Sequence, residues 1–220
     1  LLILSQPWSN KYDQIVWIDA DIIINNNNAY DITNNVPVEK IGAVEAYSIP
    51  TREIYDIALQ RCYSYWRKNN ITFGDNSTPS SYYINRGVPG KDLNEVVQTG
   101  VIVCSPTHHR QIFEHTYYNY EKNNLGFEMA AMSYELLMAK LVYWISPRFN
   151  FSVYELLAAF YPDVLLGDKS VKDKLFTRLS KYMGFRAEDK KNDALKNIYS
   201  LSIFLHFAGC KNWMIEFDVE

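Results

Sequence analysis

Residues 12–24 read YDQIVWIDADIII, the most informative stretch of the chain. From Gln14 to Ile24 the run is almost continuously β-branched and apolar, the pattern of a strand buried on both faces, as in parallel or mixed α/β sheets. Asp19 and Asp21 interrupt it near its C-terminal end, and the asparagines at 25–28 stop it with turn chemistry. A carboxylate at the end of a buried strand is costly unless it is paired, hydrogen-bonded or bound to a cation. Residues two apart on a strand share a face, so a persisting strand converges both carboxylates on one point, and a turn starting there does the same. The C-terminal edge of an α/β sheet is also where ligands bind. Two hard oxygen ligands suit Mg²⁺ or Mn²⁺. The plainer alternative has one Asp capping a turn and the other solvated.

Outward from this strand, elements of the two kinds alternate, which makes the class α/β. Residues 41–46 (IGAVEA) form a second strand candidate, and Thr51 is a plausible N-cap for a helix reaching Lys68, with Ile54, Ile57, Ala58, Cys62 and Tyr65 on one face. Residues 69–94 are polar and rich in Gly and Pro, and a loop of that length is expected to be functional or disordered. Residues 96–104 (VVQTGVIVC) read as a strand with Gly100 inside it, followed by Ser105 as N-cap and Pro106 at the first position of a helix running to about Lys122. A helix over 127–140, a strand over 141–145 ended by Pro147, two charged helices over 170–200 divided near Gly184, and a last strand over 201–207 complete the series. Residues 165–200 are expected to be a helical insertion in a single domain spanning 1–220. His108 and His109 are expected at the solvated surface, His115 at the surface or in packing, and Trp8, Trp17, Trp66 and Trp144 as core or groove filler.

Composition narrows the function. With 220 residues, 48% hydrophobic, the chain can bury a sizeable core, and a net charge of −3 leaves no basic footprint for nucleic acid. Small polar substrates fit better, and the 17 Tyr and 5 Trp offer faces for sugar rings and bases as well as core filler. Cys62, Cys104 and Cys210 are an odd, widely spaced set, read as buried reduced thiols. No apolar run approaches the ~18 residues of a membrane span, and residues 1–4 are too short for a signal-peptide core, so a cytoplasmic protein is expected. The sequons at Asn70, Asn76 and Asn150 are what an asparagine-rich chain produces by chance.

The stretch YDQIVWIDADIII resembles the Asp-x-Asp strand of glycosyltransferases with the GT-A fold, particularly the retaining family of glycogenin-like and lipopolysaccharide galactosyltransferase-like enzymes. Gln98-Thr99-Gly100-Val101-Ile102-Val103 is similar to that family's Asn-[ST]-Gly-hydrophobic strand under the donor sugar. His206-Phe207-Ala208-Gly209-Cys210-Lys211-Asn212-Trp213 resembles its His-x-x-Gly-x-x-Lys-Pro-Trp segment. The three segments stand in the family's order across residues 12–213. The resemblance implies a mixed sheet flanked by helices with a helical C-terminal appendage. It implies Asp19, Asp21 and His206 as ligands of Mn²⁺ or Mg²⁺, and Ala20, Thr99, Gly100, Gly209 and Lys211 as donor contacts. It further implies transfer of a sugar, with retention, from a nucleotide sugar such as a UDP-sugar to a glycan or other hydroxyl acceptor. Gln98 replaces the family's Asn, Asn212 replaces its Pro, and the last segment is one residue shorter. The family's Asp-Gln pair has no clean counterpart. Glu128 stands at about its place, with Glu135 a second candidate, and Glu128 and Gln98 are the expected catalytic residues.

Two rivals remain from the sequence. A sugar nucleotidyltransferase is expected to carry a Gly-rich basic phosphate loop near its N-terminus, where this chain has none. A non-catalytic carbohydrate- or nucleotide-sugar-binding protein of the same fold fits the missing Asp-Gln pair. Residues 69–94 are expected to act as a lid, with Tyr82 and Tyr83 over a sugar or base. Because only 18 residues precede Asp19, part of the nucleotide-binding half is expected to be missing, leaving the Asp19 strand with an open edge.

Overall fold

The carboxylate strand breaks at its carboxylates. In the computed structural model, which describes residues 1–120, 128–167 and 187–217, β1 (Ile15–Ile18) ends just before Asp19, and β2 (Ile22–Ile24) departs into a second sheet. Asp19, Ala20 and Asp21 form the turn between them, where the Ile22 N–H donates to the Asp19 carbonyl at 3.2 Å. The expected single strand over 14–24 is thus two, and β1 is not buried on both faces: its Trp17 is 40% exposed. Among the described residues β1 has one strand neighbour, β4 (Val97–Cys104), and its other edge is open.

The first sheet has the order β1-β4-β3-β5, with β3 at Ile41–Glu45 and β5 at Val142–Trp144. β4 runs antiparallel to β1 and β3, while β5 is parallel to β3, so β1, β3 and β5 all end at one edge. The second sheet has the order β2-β7-β6, with β6 at Phe151–Ser152 and β7 at Phe204–His206; β7 is antiparallel to β2 and parallel to β6. The last strand is shorter than expected because Leu201 belongs to the preceding helix.

The strand that is buried on both faces is β4. Val101 and Val103 point into the larger core with Phe149, Leu157, Leu195 and Phe207, whereas Ile102 and Cys104 point into a second core with Ile41, Phe113, Met132 and Leu136. This two-residue alternation between two cores explains why the sequence there is apolar at every position.

Helices cover the sheets. α1 (Arg52–Lys68) starts where expected, with the Thr51 Oγ1 accepting from the Ile54 N–H, although Ile57 on its expected inner face is exposed. α2 (Pro79–Asn85) lies inside the stretch read as a loop. Its Thr78 capping box and Pro79 at the first turn are a local start signal. α3 (Pro106–Tyr120) and α4 (Glu128–Met138) cover the second core. Ser105 does not cap α3 with its hydroxyl, which is buried without a partner; its N–H instead donates to His109 Nδ1 at 2.8 Å. α5 (Val153–Phe160) packs on α1, α6 (Pro162–Leu165) follows it, and α7 (Ala187–Leu201) enters the larger core through Ala194, Leu195 and Ile198. α8 (Lys211–Glu216) closes the described chain. Lys122 and the expected helix break at Gly184 lie outside the described residues.

Further expectations are corrected at single residues. His109 is completely buried rather than solvated, and Trp8 is exposed. Tyr82 and Tyr83 are buried rather than poised over a ligand, Tyr83 through hydroxyl bonds to Ser133 and the Glu95 carbonyl. The three cysteines are buried and unpaired, as expected. No helix among the described residues is long and apolar enough to cross a membrane.

Candidate metal centre

Strand register assembles the site. Ile22 pairs with His206 across β2 and β7, and the Phe207 N–H donates to the Asp21 carbonyl at 2.8 Å, which fixes His206 beside Asp21. On the other sheet Ile18 pairs with Val101, and the Asp19 N–H donates to the Gly100 carbonyl at 2.9 Å, which places Gly100 beside Asp19. The turn between the sheets therefore sits against the middle of β4 and the end of β7.

Ligand atoms of Asp19, Asp21 and His206 all lie within 4.8 Å of one another. His206 Nε2 is 3.3 Å from Asp21 Oδ1 and 3.8 Å from Asp19 Oδ2. Asp21 and His206 are 7% and 4% exposed, whereas Asp19 lies nearer the surface. Burial raises the Asp19 pKa; Trp17, whose Nε1 donates to Oδ1 at 2.9 Å, and His206 oppose that shift, and Asp21 and Glu128 add to it. Two carboxylates and one imidazole drawn together at this depth form a donor set for a divalent cation.

The imidazole is oriented from behind. His206 Nδ1 donates to Asn150 Oδ1 at 2.8 Å, which leaves Nε2 turned to the carboxylates. Gly100 makes room for the ring, since a Cβ there would lie 2.6 Å from His206 Cε1. The glycine allows close packing, and what packs there is the imidazole of the donor cluster.

The other expected site residues fall as follows. Lys211, despite the shortened segment, places Nζ 3.4 Å from Asp21 Oδ2. Gly209 adopts φ +73°, a left-handed backbone that glycine accepts without strain and that turns the chain from His206 towards Lys211. Ala20 lies in the turn between the two ligands, and Thr99 is half-buried in β4. The Gln98 side chain is engaged locally, its Oε1 accepting from the Gly100 N–H at 2.7 Å, so its visible task is to brace the glycine. Glu128 is exposed and close enough to Asp19 to raise its pKa. Glu135 is committed elsewhere: it accepts from the Tyr120 hydroxyl at 2.8 Å and lies 3.7 Å from His115.

Sequence reasoning missed Asn150 and the role of Trp17. Asn150 appeared only as a chance sequon, and nothing local marks it as the partner of a residue 56 positions away. Trp17 was legible in principle, because it stands two residues before Asp19 and such residues share a strand face. Comparison with family models, curated proteins and solved structures finds no match for this chain.

Proposed function

We propose that this chain is a metal-dependent glycosyltransferase, taking a sugar from a nucleotide-sugar donor, with UDP-sugar and Mn²⁺ the favoured pair, and passing it with retention to a hydroxyl acceptor. One observation carries the reading: Asp19, Asp21 and His206, drawn from segments that resemble the GT-A family's metal motifs, converge within 4.8 Å. A cation held by this triad would neutralise the charge that builds on the departing diphosphate. Asn150 and Gly100 keep the His206 ring aimed at the carboxylates. Lys211, at the N-terminus of α8, brings a second positive charge to the same side as Asp21, where it would take up a phosphate oxygen once the carboxylate is engaged. Glu128, whose charge is felt at Asp19, would be the carboxylate offered to the reacting sugar, and Gln98 braces the Gly100 backbone.

The test is a Mn²⁺ titration by calorimetry with and without UDP, followed by a donor-hydrolysis screen across nucleotide sugars. The proposal expects Mn²⁺ binding, UDP binding that depends on Mn²⁺, and hydrolysis of at least one donor. Asp21→Asn should lose both binding and turnover while keeping its circular dichroism spectrum, because an amide is a poorer ligand for a hard cation. Metal and UDP binding without any turnover would select the non-catalytic reading. Wild-type hydrolysis by Asp21→Asn would overturn the metal role.

A further inference from the structure

A cleft of about 170 Å³ opens between α1 and α5, lined by Tyr55, Cys62, Tyr63, Trp66, Tyr154 and Glu155 among others. Roughly 150 Å³ suffices for one six-membered ring. Its walls are held rigid from behind. Tyr63 stacks on Phe73 at 4.8 Å and 18° and leans on Trp66 at 5.6 Å, and Tyr55 packs on the buried Tyr47 at 4.8 Å. Tyr154 on α5 faces Cys62 on α1 across the cleft.

The polar groups of the lining define what fits. Glu155 engages the Ser152 hydroxyl through Oε2, which leaves Oε1 to accept from a ligand. Asn76, also in the lining, is strapped by Tyr63, whose hydroxyl accepts from its N–H at 2.7 Å, and by Arg86, which donates to its Oδ1 at 2.9 Å. Its Nδ2 has no hydrogen-bond partner among the described residues. Glu155 is the single charged residue of the lining, so an anion such as a phosphate is repelled. A cation leaves the donor hydrogens of Asn76 Nδ2 unmatched, whereas a hydroxyl oxygen accepts from them. A neutral ring with an apolar face for the aromatics and hydroxyls for a carboxylate and an amide matches all of these groups.

Position ties the cleft to the metal centre. Ser152, the hydroxyl that Glu155 engages, is the register partner of His206 across β6 and β7. Tyr55, in α1, packs on Tyr47 just beyond β3, and the end of β3 lies at the same sheet edge as the end of β1.

We propose that the α1/α5 cleft is a subsite for one neutral pyranose ring, the acceptor sugar, with Tyr63, Trp66 and Tyr154 as its faces and Glu155 and Asn76 as its hydroxyl partners. The acceptor role rests on the transferase reading; the ring binding does not, and it is measured without metal. Ligand-observed NMR and calorimetry in EDTA, with methyl α- and β-pyranosides of glucose and galactose as probes, should detect millimolar binding of at least one glycoside. Leu59→Trp, which fills the cleft from α1, should weaken that binding at least tenfold, and Glu155→Gln should weaken it several-fold. Both variants should keep the wild-type melting temperature and Mn²⁺ affinity. The proposal is overturned if no glycoside binds the wild type, if binding survives Leu59→Trp unchanged, or if tetramethylammonium binds in place of the glycosides. Glycosides that fail while Mn²⁺ binds sink the cleft alone, whereas Mn²⁺ that fails while glycosides bind sinks the transferase.

Discussion

A histidine that ligates through Nε2 must carry its proton on Nδ1, and Asn150 provides the acceptor that holds it there. Asn150 is completely buried and its Nδ2 has no partner, so the amide sits in this position for the sake of its oxygen. Asn150→Leu should therefore weaken Mn²⁺ binding by about 10- to 100-fold, the usual cost of removing such a support. Asn150→Asp, which preserves the acceptor, should recover most of that affinity. The discriminating readout is the ¹⁵N spectrum of His206 without metal: the Nδ1–H tautomer should prevail in the wild type and give way in Asn150→Leu. An unchanged tautomer would make Asn150 mere packing. At this scale the sequence brings out the three clustered donor side chains and hides the residues that support them. Asp19, Asp21 and His206 advertise themselves by being polar in apolar runs, whereas Asn150 and Trp17 acquire their roles only through contacts that folding creates.

Elements were legible where the local signal is also the structural cause. Thr51 before α1 and the two-sided apolar run of β4 are such cases. α2 was missed because its seven residues carry no helical period, although Thr78 and Pro79 announce its start. The break at Asp19 was left open because either geometry converges the carboxylates. The start of α3 holds the most consequential misreading. Ser105 looked like a cap and His109 like a surface residue, yet the buried His109 ring accepts from the Ser105 N–H and so does the capping itself. Burial lowers the His109 pKa from 6.5, the neighbouring His108 lowers it further, and the Glu39 backbone pulls the other way. The folded chain thus keeps the ring neutral at a pH where the unfolded chain protonates it. Stability should accordingly fall as pH drops below about 6.5, until the lower folded pKa is passed. Urea unfolding at several pH values between about 7 and 5 should show this slope, and His109→Gln, less stable at neutral pH, should show a flatter one. Parallel slopes in the two proteins would refute the assignment.

On the scale of the whole molecule, the centre is a junction between the two sheets. Asp19 and Asp21 lie in the turn leading from β1 in one sheet to β2 in the other, and His206 ends β7. A cation bound by all three would join both sheets at one point, and any ligand that binds only the folded chain stabilises it by mass action. At a Mn²⁺ concentration of about 100 times its Kd the gain is about 2.7 kcal/mol. For a chain of this length each kcal/mol raises the melting temperature by about 2–4 °C, so a shift of roughly 5–10 °C is expected. Asp21→Asn should abolish the shift, because it removes the ligand that anchors His206 and Lys211 alike. Hydrogen exchange locates the effect: slowing should reach both β1 in the first sheet and β7 in the second, rather than the turn alone. A melting temperature indifferent to Mn²⁺, or one that rises equally in Asp21→Asn, would mean that the three side chains lie together without acting as a single cation site.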